Sequence, residues 1–136
     1  MRRWVSVALG ARARGAELSI LLVGPARSRT LNRRYRGRDS ATNVLSFPAA
    51  PLAARAGRGA GAARALGDLV ICPQVLRREA RAQGKAQRAH WMHLVIHGAL
   101  HLVGYDHEHP GEAVRMERRE TRLLRSLGVA DPYRSA

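Results

Sequence analysis

The sequence predicts an α+β domain, a small mixed β-sheet covered by helices, with a metal site on a late helix and the turn that follows it. Two observations lead there. Three short apolar runs, at 17–23, 43–47 and 66–72, lie in the first half and are bounded by glycine, proline or polar residues. Helical patterning dominates the second half, where His97, His101 and His107 cluster within one stretch.

Taken in order, Trp4 to about Ala13 mixes apolar and arginine residues and reads as a helix. Glu17–Val23 is a strand between Gly15 and Gly24-Pro25. Ser28 can cap a short helix that carries Leu31 and Tyr35 and is closed by Gly37. Asn43–Phe47 is a second strand, stopped by Pro48. Residues 49–65 have no period and read as a loop or mobile hairpin. Leu66–Cys72 is the third strand, and Pro73 suits the first turn of a helix running to about Gln83, broken by Gly84. Gln87–Val103 is the histidine helix. After Pro110-Gly111 a last helix reaches about Leu127, with Met116, Leu123, Leu124 and Leu127 facing inward and Gly128 at its end. No repeat or linker interrupts the chain, so residues 1–136 read as one domain. A sheet of only three strands needs helix cover to be stable.

Charge narrows the partners. The net charge is +14, and 23 of the 24 basic residues are arginine. Residues 1–96 hold 18 basic and 4 acidic side chains, against 6 of each in 97–136, so the excess precedes the histidines. Guanidinium forks match phosphates bidentately, and such a field attracts polyanions. An anionic membrane surface would compete, but no amphipathic anchor stands out. No run of 18 apolar residues suggests a membrane span, and the start, Met-Arg-Arg-Trp, lacks a full signal core, so the expected compartment is the cytosol. The single Cys72 excludes an internal disulfide and reads as a buried thiol.

The histidine stretch carries the chemistry. On a helix His97 and His101 stack on one face, one turn apart. Gly104 can end the helix in the left-handed conformation and let His107 return to the same point. Three imidazoles with a fourth position open are the catalytic form of a zinc site. The spacing His-x3-His-x2-Gly-x2-His is metzincin-like, but Gly98 stands where those proteases carry their general-base glutamate. His90 and His93 share roughly the same face, and packing or support of the ligands is the favoured role for both over ligation. His109 reads as a solvated turn residue. Arg36 and Arg38 flank a helix stop, and spacing alone favours a solvated turn over a cleft role.

Several further motifs occur in a fixed order: Leu31-Asn32, Tyr35-Arg36-Gly37-Arg38-Asp39, Thr42 to Pro48, Leu66 to Cys72, Glu79-Ala80, Gln83-Gly84-Lys85, His90-Trp91, residues 97–107 and Asp131-Pro132-Tyr133. Together they resemble the YbeY family of bacterial rRNA-maturation endoribonucleases over roughly residues 16–133. The resemblance implies a single-strand-specific, zinc-dependent endoribonuclease that matures the 3′ end of 16S rRNA and serves ribosome quality control in the cytoplasm. Its partners would be single-stranded RNA, rRNA and the small ribosomal subunit with its proteins, with no membrane role. The resemblance assigns one Zn2+ to His97, His101 and His107, and places Arg36 in the cleft beside the metal as the essential arginine. Asp68, Asp106 and His93 are candidates for the cleft or for orienting ligands, and Arg34, Arg38, Arg55 and Arg58 for weaker RNA contact. The general base stays open between hydroxide on the metal, Asp106 and a substrate 2′-OH. Two departures from the family follow. Its usual additional N-terminal strand does not precede the first helix in this sequence: either the true start lies upstream or the sheet lacks one strand, which would expose an edge. The 49–65 loop is also more basic, with Arg55, Arg58 and Arg64. A metalloprotease-like hydrolase and a non-catalytic, zinc-containing ribosome-assembly factor are the alternatives.

Overall fold

The strand β3 (Arg64–Ile71) is the spine of a mixed three-strand sheet ordered β1-β3-β2. It pairs in parallel with β1 (Ala16–Leu22) and antiparallel with β2 (Val44–Pro48). The computed structural model describes residues 2–10, 15–49, 64–104 and 110–129. Five helices complete it: α1 (Arg2–Leu9), α2 (Pro25–Arg36), α3 (Pro73–Ala82), α4 (Gln87–Leu102) and α5 (Pro110–Ser126). The expected α+β class and its three strands are present. The 49–65 stretch contributes Ala49, whose N–H donates to the Leu66 carbonyl at 3.0 Å, and the start of β3. Residues 50–63, with Arg55 and Arg58, lie outside the described residues.

Strand parity divides the structure into two sides. Leu69 and Ile71, both fully buried, point from β3 toward α4, together with their β2 partners Ser46 and Val44. Ile71 joins Leu76 of α3 and Leu94 and Val95 of α4 in one apolar cluster. Ala8 and Leu9 of α1, Met92, Ile96, Ala99 and Leu100 of α4, and Met116, Leu123 and Leu124 of α5 form another. Residues of the opposite parity, Leu45, Phe47 and Val70, pack with Val23 against Leu31 of α2. The sheet therefore stands between α4 and α2. Burying each such Leu or Ile contributes about 1.5–3 kcal/mol. Because α4 is covered on several sides, its apolar residues do not form a single stripe.

Three local readings are corrected. Helix α2 starts three residues before Ser28, with Gly24 as cap and Pro25 in the first turn. The Ser28 hydroxyl is buried and committed to Thr42, donating to its carbonyl and accepting from its N–H, both at 2.9 Å. Pro48 does not stop β2 but is its last paired residue, opposite Gly67, which an edge strand tolerates. Helix α1 ends at Leu9 rather than near Ala13, and residues 11–14 lie outside the described residues.

Two networks tie these elements. The Glu79 carboxylate of α3 accepts from Asn43 Nδ2 at 2.9 Å and sits 3.1 Å from His90 Nε2, fastening the start of β2 to α4. On the surface, Arg29 of α2 forks onto Asp39 at 2.8 and 2.9 Å. That hydrogen-bonded guanidinium holds the Asp39 carboxyl below its usual range, so the pair's contribution is present at neutral pH and fades as acid titrates Asp39.

Two glycines allow close backbone approach. Gly67 has φ +139°, beside the register shift between Glu17 and Leu18, and a Cβ there would collide with the Phe47 carbonyl oxygen and stand 3.0 Å from Ala49 N. At Gly98 a Cβ would lie 2.8 Å from Leu69 Cδ2 and 3.3 Å from Leu69 Cδ1. Chemical denaturation of Gly98→Ala should show a loss of about 1–3 kcal/mol, and Gly67→Ala a larger one, since its obstacle is backbone. Unchanged midpoints would contradict this packing.

Candidate metal centre

Helix α4 projects His93, His97 and His101 along one side, beside the Gly98 face that lies on the sheet, while α5 brings Glu120 against the row. Glu120 is completely buried. Its Oε1 lies 2.6 Å from His97 Nδ1 and its Oε2 2.9 Å from His93 Nε2. A buried carboxylate is costly unless both oxygens are satisfied, and two imidazole N–H donors do that here. Holding the proton on His97 Nδ1 leaves its Nε2 lone pair as the outward-facing ligand atom.

That lone pair meets His101. The two Nε2 atoms are 3.2 Å apart, with ring centroids 4.7 Å apart. Two nitrogens on one tetrahedral zinc, at roughly 2.0–2.1 Å from it, stand about 3.3–3.4 Å apart. The pair thus fits a shared metal ion. Ligand atoms of His93, His97 and Glu120 also lie within 4.8 Å of one another, and this cluster too could hold a metal. The 2.6 Å and 2.9 Å contacts to Glu120 are hydrogen-bond lengths, shorter than the spacing of two ligands on one tetrahedral ion, so the Nε2 side is the better metal-facing edge.

The other expected site residues divide. His107 and Asp106 lie outside the described residues, as does His109. Helix α4 ends at Leu102, and Gly104 follows with φ +103°, the turn expected to redirect the chain. His93 Nε2 sits 2.9 Å from Glu120 Oε2, and His93 is a member of the second cluster that could hold a metal. Asp68 is on the other side of the sheet: it projects from β3 with the parity of Val70, accepts a hydrogen bond from Ser19, and does not join the histidine row. Arg36 ends α2, exposed, without an ion-pair partner among the described residues and on the helix across the sheet from α4. Arg34 and Arg38 are exposed nearby. Gly98 faces Leu69 and Ser46, so a glutamate at that position would be driven into the sheet.

Glu120 is the site residue that sequence reasoning missed. Its signal was present: it falls four residues after Met116 and three before Leu123, on the inward face of α5. A carboxylate at a core-facing position calls for a buried partner.

The whole-chain comparisons agree with this architecture. The family model described as "Endoribonuclease YbeY" matches residues 1–128. A protein of that name from Halorhodospira halophila is 52% identical over 133 residues, covering 98% of this chain and 84% of its own. One from Alkalilimnicola ehrlichii is 54% identical over 135 residues, covering 98% and 79%. In fold, the chain resembles the solution structure of TM1509 from Thermotoga maritima, with a TM-score of 0.61 and 24% identity, covering 98% of this chain and 88% of that one.

Replacing Glu120 should loosen the centre. Glu120→Gln is expected to lower zinc affinity by about 10–100-fold in competition with a chromogenic chelator. Affinity equal to wild type would show that the carboxylate does not orient His97.

Proposed function

The chain belongs to the YbeY endoribonuclease family, and from that premise we propose that it is a single-strand-specific, zinc-dependent endoribonuclease acting in maturation of the 3′ end of 16S rRNA and in ribosome quality control. As a member of that family it is an RNA-cleaving hydrolase. Residues 1–136 would act as one cytoplasmic domain whose partners are rRNA and the small ribosomal subunit. Among the described residues no helix is long and apolar enough to cross a membrane. The observation that carries the reading is the 3.2 Å pair of imidazole nitrogens backed by a buried carboxylate.

His97 and His101 would hold the zinc, with His107 as the third ligand. When bound, such an ion polarises a phosphoryl oxygen and lowers the pKa of a coordinated water. The chain's own residues do the rest. Glu120 keeps His97 in the tautomer that presents Nε2 outward. Arg36, an exposed and permanently charged fork, would grip the phosphate as negative charge builds on it. The α2 helix and the turn after it add Arg27, Arg33, Arg34 and Arg38, all exposed, which would steer an RNA backbone. Arg36 stands at the end of α2, where the chain turns toward β2, and the other arginines of α2 belong to the helix that covers the face of the sheet opposite α4, so RNA held by them would reach the histidine row past the β2 side of the sheet. Gly98 supplies no peptidase base, which counts against protein hydrolysis.

Purified protein should cut single-stranded RNA and lose that activity on chelation. His101→Ala should cost at least a hundredfold in kcat/KM, and Arg36→Ala a comparable amount, because charge stabilisation of this kind is worth about 10²–10³. Cleavage of an unfolded protein substrate, or RNA binding without cleavage, would favour the protease or assembly-factor alternative. RNA cleavage that survives in both variants would indicate a contaminating nuclease and sink the assignment.

A further inference from the structure

A cavity of about 530 Å³ lies between α2 and the sheet, on the side away from the histidines, and the metal chemistry makes no use of it. Cavities of this size suit a ligand of nucleotide dimensions. Asp68, Ser19, Arg27, Tyr35, Phe47 and Val70 are among its lining residues. We propose that it receives one unstacked guanine base of the bound RNA, with Asp68 reading the Watson–Crick edge and Tyr35 stacking on the ring. The proposal rests on the chain acting on RNA.

The chemistry of the lining selects the base. A carboxylate is an acceptor only. Guanine alone among the four bases offers it two adjacent donors, the N1–H and the N2 amino group. Adenine and cytosine place a ring acceptor beside their amino group, and uracil flanks its single N–H with two carbonyls. Ser19 Oγ donates to Asp68 Oδ1, which fixes the carboxylate and leaves Oδ2 without a partner among the described residues. Tyr35 is 60% exposed and is braced edge-on by Phe47, with ring centroids 5.1 Å apart and planes at 77°. A braced, exposed ring is a stacking platform. Arg27 has no ion-pair partner among the described residues and offers its fork to the sugar-phosphate of the same nucleotide. Leu31 and Val70 supply the apolar floor. Arg27 lines the cavity, and the four other arginines of the same helix strengthen the positive field that suits a polyanion.

The test uses the full chain and eight-nucleotide single-stranded RNAs, oligo(A) with or without one central guanosine, followed by fluorescence anisotropy. One guanosine should tighten binding about tenfold, and one cytidine or uridine should not. Asp68→Asn, whose amide no longer offers two acceptors, should erase that preference without weakening oligo(A) binding. Tyr35→Ala should weaken guanosine-containing RNA about tenfold, and Tyr35→Phe should restore it. Calorimetry on the wild type with guanosine and adenosine monophosphates repeats the comparison without any variant. Equal affinity for all four bases, or a guanosine preference that survives Asp68→Asn in a normally folded protein, would overturn the proposal. Cleavage of the same RNAs is measured in parallel. Base-indifferent binding with cleavage intact would remove the guanine pocket and leave the nuclease reading standing, whereas loss of cleavage alone would strike only the nuclease reading.

Discussion

One buried carboxylate sets the geometry of the histidine row. Glu120 reaches from α5 into the interior and touches His97 and His93 at once. Turning either imidazole would break a hydrogen bond to a buried carboxylate, and hydrogen bonds to charged groups are worth about 1.5–3 kcal/mol. The interaction joins fold and chemistry. It docks α5 on α4, beside the cluster of Met116, Leu123 and Leu124, and it orients the nitrogen that faces His101. Stability is not its only yield, since a well-packed apolar pair could hold two helices equally well. What the polar contact adds is a fixed tautomer.

The sheet makes this a two-sided molecule. Gly98 lets α4 settle onto Leu69 and Ser46, whose hydroxyl donates to the Gly98 carbonyl at 3.3 Å. On the opposite face α2 covers the sheet less completely, leaving Tyr35 half in solvent and the cavity beneath it. Positive charge collects there, along a helix with five arginines and no acid. One side carries the histidine pair with its buried carboxylate, and the other the arginines of α2.

Much of this was legible in the sequence because the signals were periodic. The helical repeat places His97 under His101 whatever surrounds them, and the 3.2 Å pair follows from that spacing. The three strands were marked by glycine and proline at their ends. Signals that depended on tertiary context were harder. Ser28 resembled a helix cap, but its hydroxyl is used by Thr42, and proline's fixed φ starts the helix earlier. The side on which Asp68 projects depends on which face α4 covers, and no local pattern states that. Glu120 sat among the acids of an exposed-looking helix and was distinguishable only by its phase relative to Met116 and Leu123.

With His97 protonated on Nδ1 toward Glu120, its Nε2 would face a metal alongside His101. Long-range ¹H–¹⁵N correlation spectra of the zinc-loaded protein with ¹⁵N-labelled histidine read this directly. The expected spectrum assigns the proton of His97 to Nδ1 and metal-bound shifts to Nε2 of both His97 and His101. Metal ligation through His97 Nδ1, shared with His93 and Glu120, would contradict the account.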